Sequence, residues 1–169
     1  MKENIVLIGM PGVGKSTIGV ILAKVIGYRF MDSDLVIQET EGKLLKDIIE
    51  EKGTKGFLEV ENRINASLSP AKTVIATGGS VVYGEEAMEH FKEISTIVYL
   101  KAEFPVLDKR LNNIKNRGVV IEEGQTLEGL YNERVVLYEK YADIIIEEND
   151  LSIEETLELL VEKLNEYNQ

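Results

Sequence analysis

Apolar residues along the chain gather into five short runs, separated by longer stretches of helical period. The runs are Asn4–Ile8, Tyr28–Met31, Thr73–Thr77, Thr96–Leu100 and Asp143–Glu147, each mostly apolar with little polar alternation. That pattern predicts parallel strands buried on both faces. Between them, Lys15–Ile26 sets Ile18, Ile21, Leu22 and Val25 on one helical face. Thr126–Tyr141 does the same with Leu127, Leu130, Tyr131, Arg134, Tyr138 and Tyr141. The last helix opens with Ser152 and Glu155 in capping-box spacing and continues through Ile153, Leu157, Leu160, Val161 and Leu164. Strands alternating with helices predict an α/β sandwich around a parallel sheet. Leu35–Asn65 is too polar for core strands and reads as helices laid over the strand ends. Asn112–Gln125 is polar and contains two glycines, and reads as a mobile loop. With no repeat and no linker, one domain is expected.

Composition narrows the class. The 169 residues are 44% hydrophobic, enough for a core. Net charge is −11, which argues against charge-driven binding to nucleic acid. The charge is uneven: ten acids against two lysines put −8 into Glu139–Gln169 and leave −3 for the preceding 138 residues. Absence of cysteine removes disulfides, cysteine–zinc sites and thiol catalysis together. No apolar run approaches the ~20 residues of a membrane span. The run Asn4–Gly9 is too short for a secretory leader and enters a glycine-rich loop. A soluble, cytoplasmic, monomeric protein is the expectation, with neither nucleic acid nor membrane as partner.

The run Gly9-Met10-Pro11-Gly12-Val13-Gly14-Lys15-Ser16 fits the spacing G-x-x-x-x-G-K-[ST], with a strand before it and an amphipathic helix after it. Its glycines let backbone N–H groups turn inward around a phosphate, and the helix amino terminus adds partial positive charge. Lys15 is expected to reach the β- and γ-phosphates, and the Ser16 hydroxyl to ligate Mg²⁺. No N-K-x-D guanine motif is present. The length suits a small phosphotransferase acting on a small molecule. Five arginines in all leave few to spare for a nucleoside monophosphate kinase, which crowds arginines around two sets of phosphates.

The second run leads into Met31-Asp32-Ser33-Asp34. Ligands of parallel α/β sheets collect at the carboxyl ends of strands. Asp32 would hold Mg²⁺ through water beside Ser16, and Asp34 would accept a proton or hydrogen bond from a substrate hydroxyl. The alternative is a helix N-cap at Ser33 or Asp34. Arg134 lies on an apolar helical face, where a charge needs a partner, either an anionic ligand or an acidic neighbour. His90, the single histidine, sits on a polar helical segment and is expected at the surface.

With these features, the chain resembles the shikimate kinases, from Asn4 to the last helix. The resemblance rests on the phosphate loop, Asp32-Ser33-Asp34, Gly53-x-x-x-Phe57-x-x-x-Glu61, Thr77-Gly78-Gly79, Arg110, Arg117 and Glu133-Arg134-x-x-Leu137-Tyr138-Glu139-Lys140-Tyr141-Ala142-Asp143. It implies a three-layer P-loop kinase fold whose five-stranded parallel sheet has the order 2-3-1-4-5. A substrate-binding insertion would fall at about 33–65 and a lid at about 112–125. It implies ATP and Mg²⁺, and phosphorylation of the shikimate 3-hydroxyl. Gly12, Val13, Gly14, Lys15, Ser16 and Thr17 would hold ATP. Arg110 would lie against the adenine, and Arg117 would swing in with the lid to neutralise phosphoryl charge. Ser16 and Asp32 would serve the metal. Asp34 would hold substrate hydroxyls and act as base, Gly78 and Gly79 would line the acceptor pocket, and Arg134 would pair with the substrate carboxylate.

Four positions depart from the family pattern. Leu58 replaces an arginine that helps clamp the carboxylate, and Arg63, five residues on, is poorly placed to substitute for it. Ser80 replaces a third glycine, narrowing the pocket and adding a hydroxyl. Gly118 follows the lid arginine in place of proline, and Val136 replaces a second proline. The nucleotide side is therefore intact and the acceptor side altered. Kinases of another polyol or ring alcohol, and a nucleotide-binding regulator without catalysis, remain alternatives. The Asp32/Asp34 pair speaks against the regulator, which needs no base.

Overall fold

The computed structural model describes residues 2–112 and 122–169. Its elements in chain order are β1 (Asn4–Ile8), α1 (Lys15–Ile26), β2 (Arg29–Asp32), α2 (Ser33–Glu41), α3 (Leu45–Ser67), β3 (Thr73–Ala76), a 3₁₀ turn (Val81–Tyr83), α4 (Glu85–Ile94), β4 (Ser95–Lys101), α5 (Phe104–Asn112), α6 (Leu127–Tyr141), β5 (Ile144–Glu147) and α7 (Ile153–Tyr167). The predicted strands and helices all form, with ends moved by about one residue, the usual uncertainty at element termini.

The five strands make one parallel sheet in the order β2-β3-β1-β4-β5. This is the order the resemblance implied. Every residue of β1 and β3 is buried, so helices cover both faces of the centre, as the unbroken apolar runs require. β5 at one edge alternates buried and exposed residues. α1 packs with α7, and α3 packs with α4. At the amino end of the sheet, buried Asn4 donates to the carbonyls of Pro70 and Ile94 and accepts from the Thr73 amide. That satisfies backbone groups between strands that water does not reach.

A smaller core cluster (Ile37, Ile48, Phe57, Val60 and Ile64) joins α2 to α3. It holds these polar helices over the carboxyl end of the sheet, as expected for Leu35–Asn65. Gly53 breaks α3 at φ 71°, a backbone conformation that side-chain-bearing residues rarely adopt. His90 departs from expectation. It is half-buried, with Nε2 against the Leu68 carbonyl oxygen, because α4 packs on α3. Among the described residues, no helix is long and apolar enough to cross a membrane.

Candidate active site

Register brings the motifs together. Ile8 ends β1, and Asp32 at the end of β2 pairs with Ala76 at the end of β3. The phosphate loop, the Asp32–Asp34 segment and Thr77-Gly78-Gly79 therefore leave adjacent strands at the same edge. The Thr77 hydroxyl donates to the Leu7 carbonyl at 2.8 Å and fixes the third segment to the first. Between them lies a cavity of about 590 Å³.

The loop turns sharply at Gly9, whose φ is 148°. A Cβ there would stand 2.6 Å from the Leu100 carbonyl oxygen, so no larger residue fits against β4. Met10 packs into the core and Val13 is buried beneath the loop. Gly14, with φ 101°, occupies the N-cap of α1 and provides no side-chain acceptor. The first amides of α1 therefore present themselves to an anion, reinforced by the helix dipole. Lys15 is buried and its Nζ donates to the carbonyls of Gly9 at 2.7 Å and Met10 at 2.9 Å, which holds the ammonium within the loop's curve.

Asp32 has two functions in one carboxylate. Oδ1 accepts from the amides of Asp34 at 2.9 Å and Leu35 at 3.3 Å, and so caps α2. The N-cap set as the alternative at Ser33 or Asp34 thus falls one or two residues earlier, because Asp32 is the last residue in extended conformation. Oδ2 accepts from the Ser16 hydroxyl at 3.2 Å. These are hard oxygen donors, and among the described residues no group of three His, Cys, Asp or Glu side chains could enclose an ion. The set fits Mg²⁺, which keeps several waters and takes further ligands from phosphate.

Asp34 enters the same cavity. Burial, and then the neighbouring Asp32 charge, push its carboxyl up to about 6 against a pull down from Lys15. Gly78 passes so close that a Cβ on it would stand 2.8 Å from Asp34 Oδ1 and 3.0 Å from Glu61 Oε2. A Cβ on Gly79 would stand 2.7 Å from Pro11 Cδ and 2.8 Å from Arg134 Nη1. The Gly79 carbonyl accepts from the Tyr138 hydroxyl at 2.6 Å, and the Tyr138 ring packs on Tyr99 with centroids 4.9 Å apart. Arg134 is 1% exposed, with its guanidinium 5.4 Å from the Tyr83 ring centre. Tyr83 in turn donates to Glu133 at 2.6 Å.

One cavity thus joins a phosphate cradle to a carboxylate and a buried guanidinium. A family model described as shikimate kinase matches residues 11–165. The chain belongs to the shikimate kinase family. It is 35% identical over 164 residues to the shikimate kinase of Thermodesulfovibrio yellowstonii, spanning 95% of this chain and 94% of that one. It is 35% identical over 145 residues to that of Persephonella marina, spanning 85% and 88%. Among solved structures, the Acinetobacter baumannii shikimate kinase in complex with shikimate superposes with a TM-score of 0.88 at 30% identity, covering 97% of this chain and 93% of that one.

Of the residues expected from the shikimate kinase pattern, Gly12, Gly14, Lys15, Ser16, Thr17, Asp32, Asp34, Gly78, Gly79 and Arg134 line the cavity. Val13 does not, because its side chain is buried in the core. Arg110 lies outside the cavity on α5, donating to Glu148 at 3.0 Å. Arg117 and Gly118 lie outside the described residues. Leu58 does not line the cavity either and packs on the α2–α3 cluster. Arg63 is exposed and pairs with Glu41, so it cannot replace a clamp at position 58. Val136 is 67% exposed. The Ser80 side chain lines the cavity, and its hydroxyl is turned onto Glu61 at 2.7 Å.

Glu61 is the functional candidate that motif reading named without a role. It is 2% exposed, and burial raises its carboxyl to about 7. The signal for it was available: Phe57, Val60, Glu61 and Ile64 share one helical face, and an acid on an apolar face needs a partner.

Proposed function

We propose that this chain transfers the γ-phosphoryl group of ATP to the 3-hydroxyl of shikimate, a step toward the aromatic amino acids. The observation that carries the reading is that Asp34, Gly79 and Arg134 share one cavity with the phosphate loop. A hydroxylated carboxylate spanning Asp34 and Arg134 would set its alcohol beside the transferred phosphate. The whole chain, 1–169, acts as one P-loop kinase domain, with the acceptor insertion at 33–65 and the lid at 112–125. It works as a cytoplasmic monomer.

In this reading the phosphate loop from Gly12 to Thr17 grips the nucleotide through backbone amides and Lys15. Ser16 and Asp32 would hold Mg²⁺, which neutralises phosphate charge when bound. Asp34 orients the acceptor hydroxyl and takes its proton late in the transfer. With its pKa near 6 it is mostly ionised at neutral pH and still basic enough to accept that proton. Arg134 pairs with the acceptor carboxylate, and Gly78 and Gly79 let the ring approach the backbone. Arg110 takes the adenine side. Arg117 brings positive charge to the phosphoryl group as the lid excludes competing water.

A coupled ADP-release assay with Mg-ATP and shikimate tests the reading. Turnover well above the water-only background is expected, and turnover at that background would remove shikimate as the acceptor. A related polyol or ring alcohol is the second reading. It is favoured by Leu58, because Arg134 is the one arginine in the cavity wall among the described residues. A screen of cyclic polyols with and without carboxylates separates the two.

A further inference from the structure

The acceptor end of the cavity holds a carboxyl with an uneven environment. Glu61 Oε1 accepts from the Ser80 hydroxyl at 2.7 Å, while Oε2 has no hydrogen-bond donor among the described residues. Oε2 faces Gly78 on the side that Asp34 Oδ1 also faces. A buried carboxyl oxygen without a donor is costly in a resting protein. An acceptor hydroxyl arriving at the Gly78 wall would supply the donor.

We propose that Ser80 is a positioning residue for the acceptor: its hydroxyl anchors Oε1 of Glu61 and so directs Oε2, beside Asp34, toward the acceptor's hydroxyls. The inference rests on the alcohol-kinase reading above. It also accounts for two departures from the family pattern together. Residues 58 and 61 are three apart on α3 and therefore neighbours on the helix surface, so an arginine at 58 would stand within reach of Glu61. Leu58 offers no donor and packs on the α2–α3 cluster. Ser80 supplies a neutral donor from the 3₁₀-turn side, in place of the cation lost from the helix.

The charged and titratable groups facing Glu61 are Asp34 from α2, and Arg134 and Tyr138 from α6. Burial pushes the Glu61 carboxyl up, the Ser80 bond pulls it down, Asp34 raises it and Arg134 lowers it. Loss of the Ser80 hydroxyl therefore moves its titration upward. Above neutral pH it also loosens the oxygen that receives the acceptor.

The test uses the full chain with Ser80→Ala, Ser80→Thr, Ser80→Gly and the double variant Leu58→Arg/Ser80→Gly. One readout is the titration of Glu61 by NMR with ¹³C-labelled glutamate and no ligand, which is independent of what the acceptor is. The other is steady-state kinetics with Mg-ATP and shikimate. Ser80→Ala and Ser80→Gly should raise the Glu61 midpoint and raise the acceptor KM about tenfold, with the KM for ATP unchanged. Ser80→Thr should restore both, and Leu58→Arg should restore both in the Ser80→Gly background. An unmoved midpoint overturns the proposal. So does a moved midpoint with an unchanged acceptor KM, since the bond would then be structural alone. A wild-type chain without turnover on shikimate overturns the choice of substrate instead, and the kinetic arm then runs on whichever alcohol the screen finds.

Discussion

Replacing Glu61 with glutamine should stabilise the protein in a strongly pH-dependent way. An unfolded glutamate titrates at 4.5, whereas burial raises Glu61 to about 7. An acid with a raised folded pKa contributes stability that is fully present below the unfolded value and lost as pH rises through the folded one. Glutamine keeps the shape and an oxygen for the Ser80 hydroxyl but never ionises. Its advantage should be near zero at pH 4.5 and complete above pH 7. At about 1.4 kcal/mol per unit, the part gained between pH 5.5 and 8.5 is about 2 kcal/mol. For a domain of this size that corresponds to a Tm difference growing by about 4–8 °C across the interval. Thermal melts of both proteins at the two pH values measure it. A constant Tm difference at both pH values would refute the reasoning, because it would mean that the carboxyl is not held in a low-dielectric site. Activity should fall in the same variant, the expected trade of stability against a strained functional group.

Three further outcomes follow from the same geometry. Asp34→Asn should abolish phosphoryl transfer while calorimetry shows ATP binding retained, and wild-type kcat should fall as pH drops below about 6; retained turnover in the variant would remove Asp34 as base. Gly79→Ala should raise the acceptor KM at least about tenfold, because the new methyl would stand 2.8 Å from Arg134 Nη1 and 2.7 Å from the Pro11 ring; unaltered kinetics would show that the wall yields.

Much of the site was legible in one dimension because its signals are local. A phosphate loop needs its glycines, lysine and serine within one strand–helix turn, so Gly9 to Ser16 can be read without a fold. Arg134 betrayed itself by sitting on an apolar helical face, and its burial followed. Glu61 carried the same mark but shares its segment with many exposed acids and lysines, which mask the pattern. The N-cap falls at Asp32, one or two residues before the alternative at Ser33 or Asp34, because a cap depends on where extended backbone ends, and that is set by pairing with β3.

By itself the sequence determined the elements, the phosphate loop and the family, because periodicity and short motifs depend on neighbours in the chain. Only the tertiary structure decided how Ser80, Leu58 and Glu61 are arranged. Ser80 and Glu61 are 19 residues apart and meet at 2.7 Å, while Leu58, one turn from Glu61, packs on the α2–α3 cluster and does not line the cavity. Hydrogen bonds across a fold depend on which walls the sheet register brings face to face, and no local pattern encodes that.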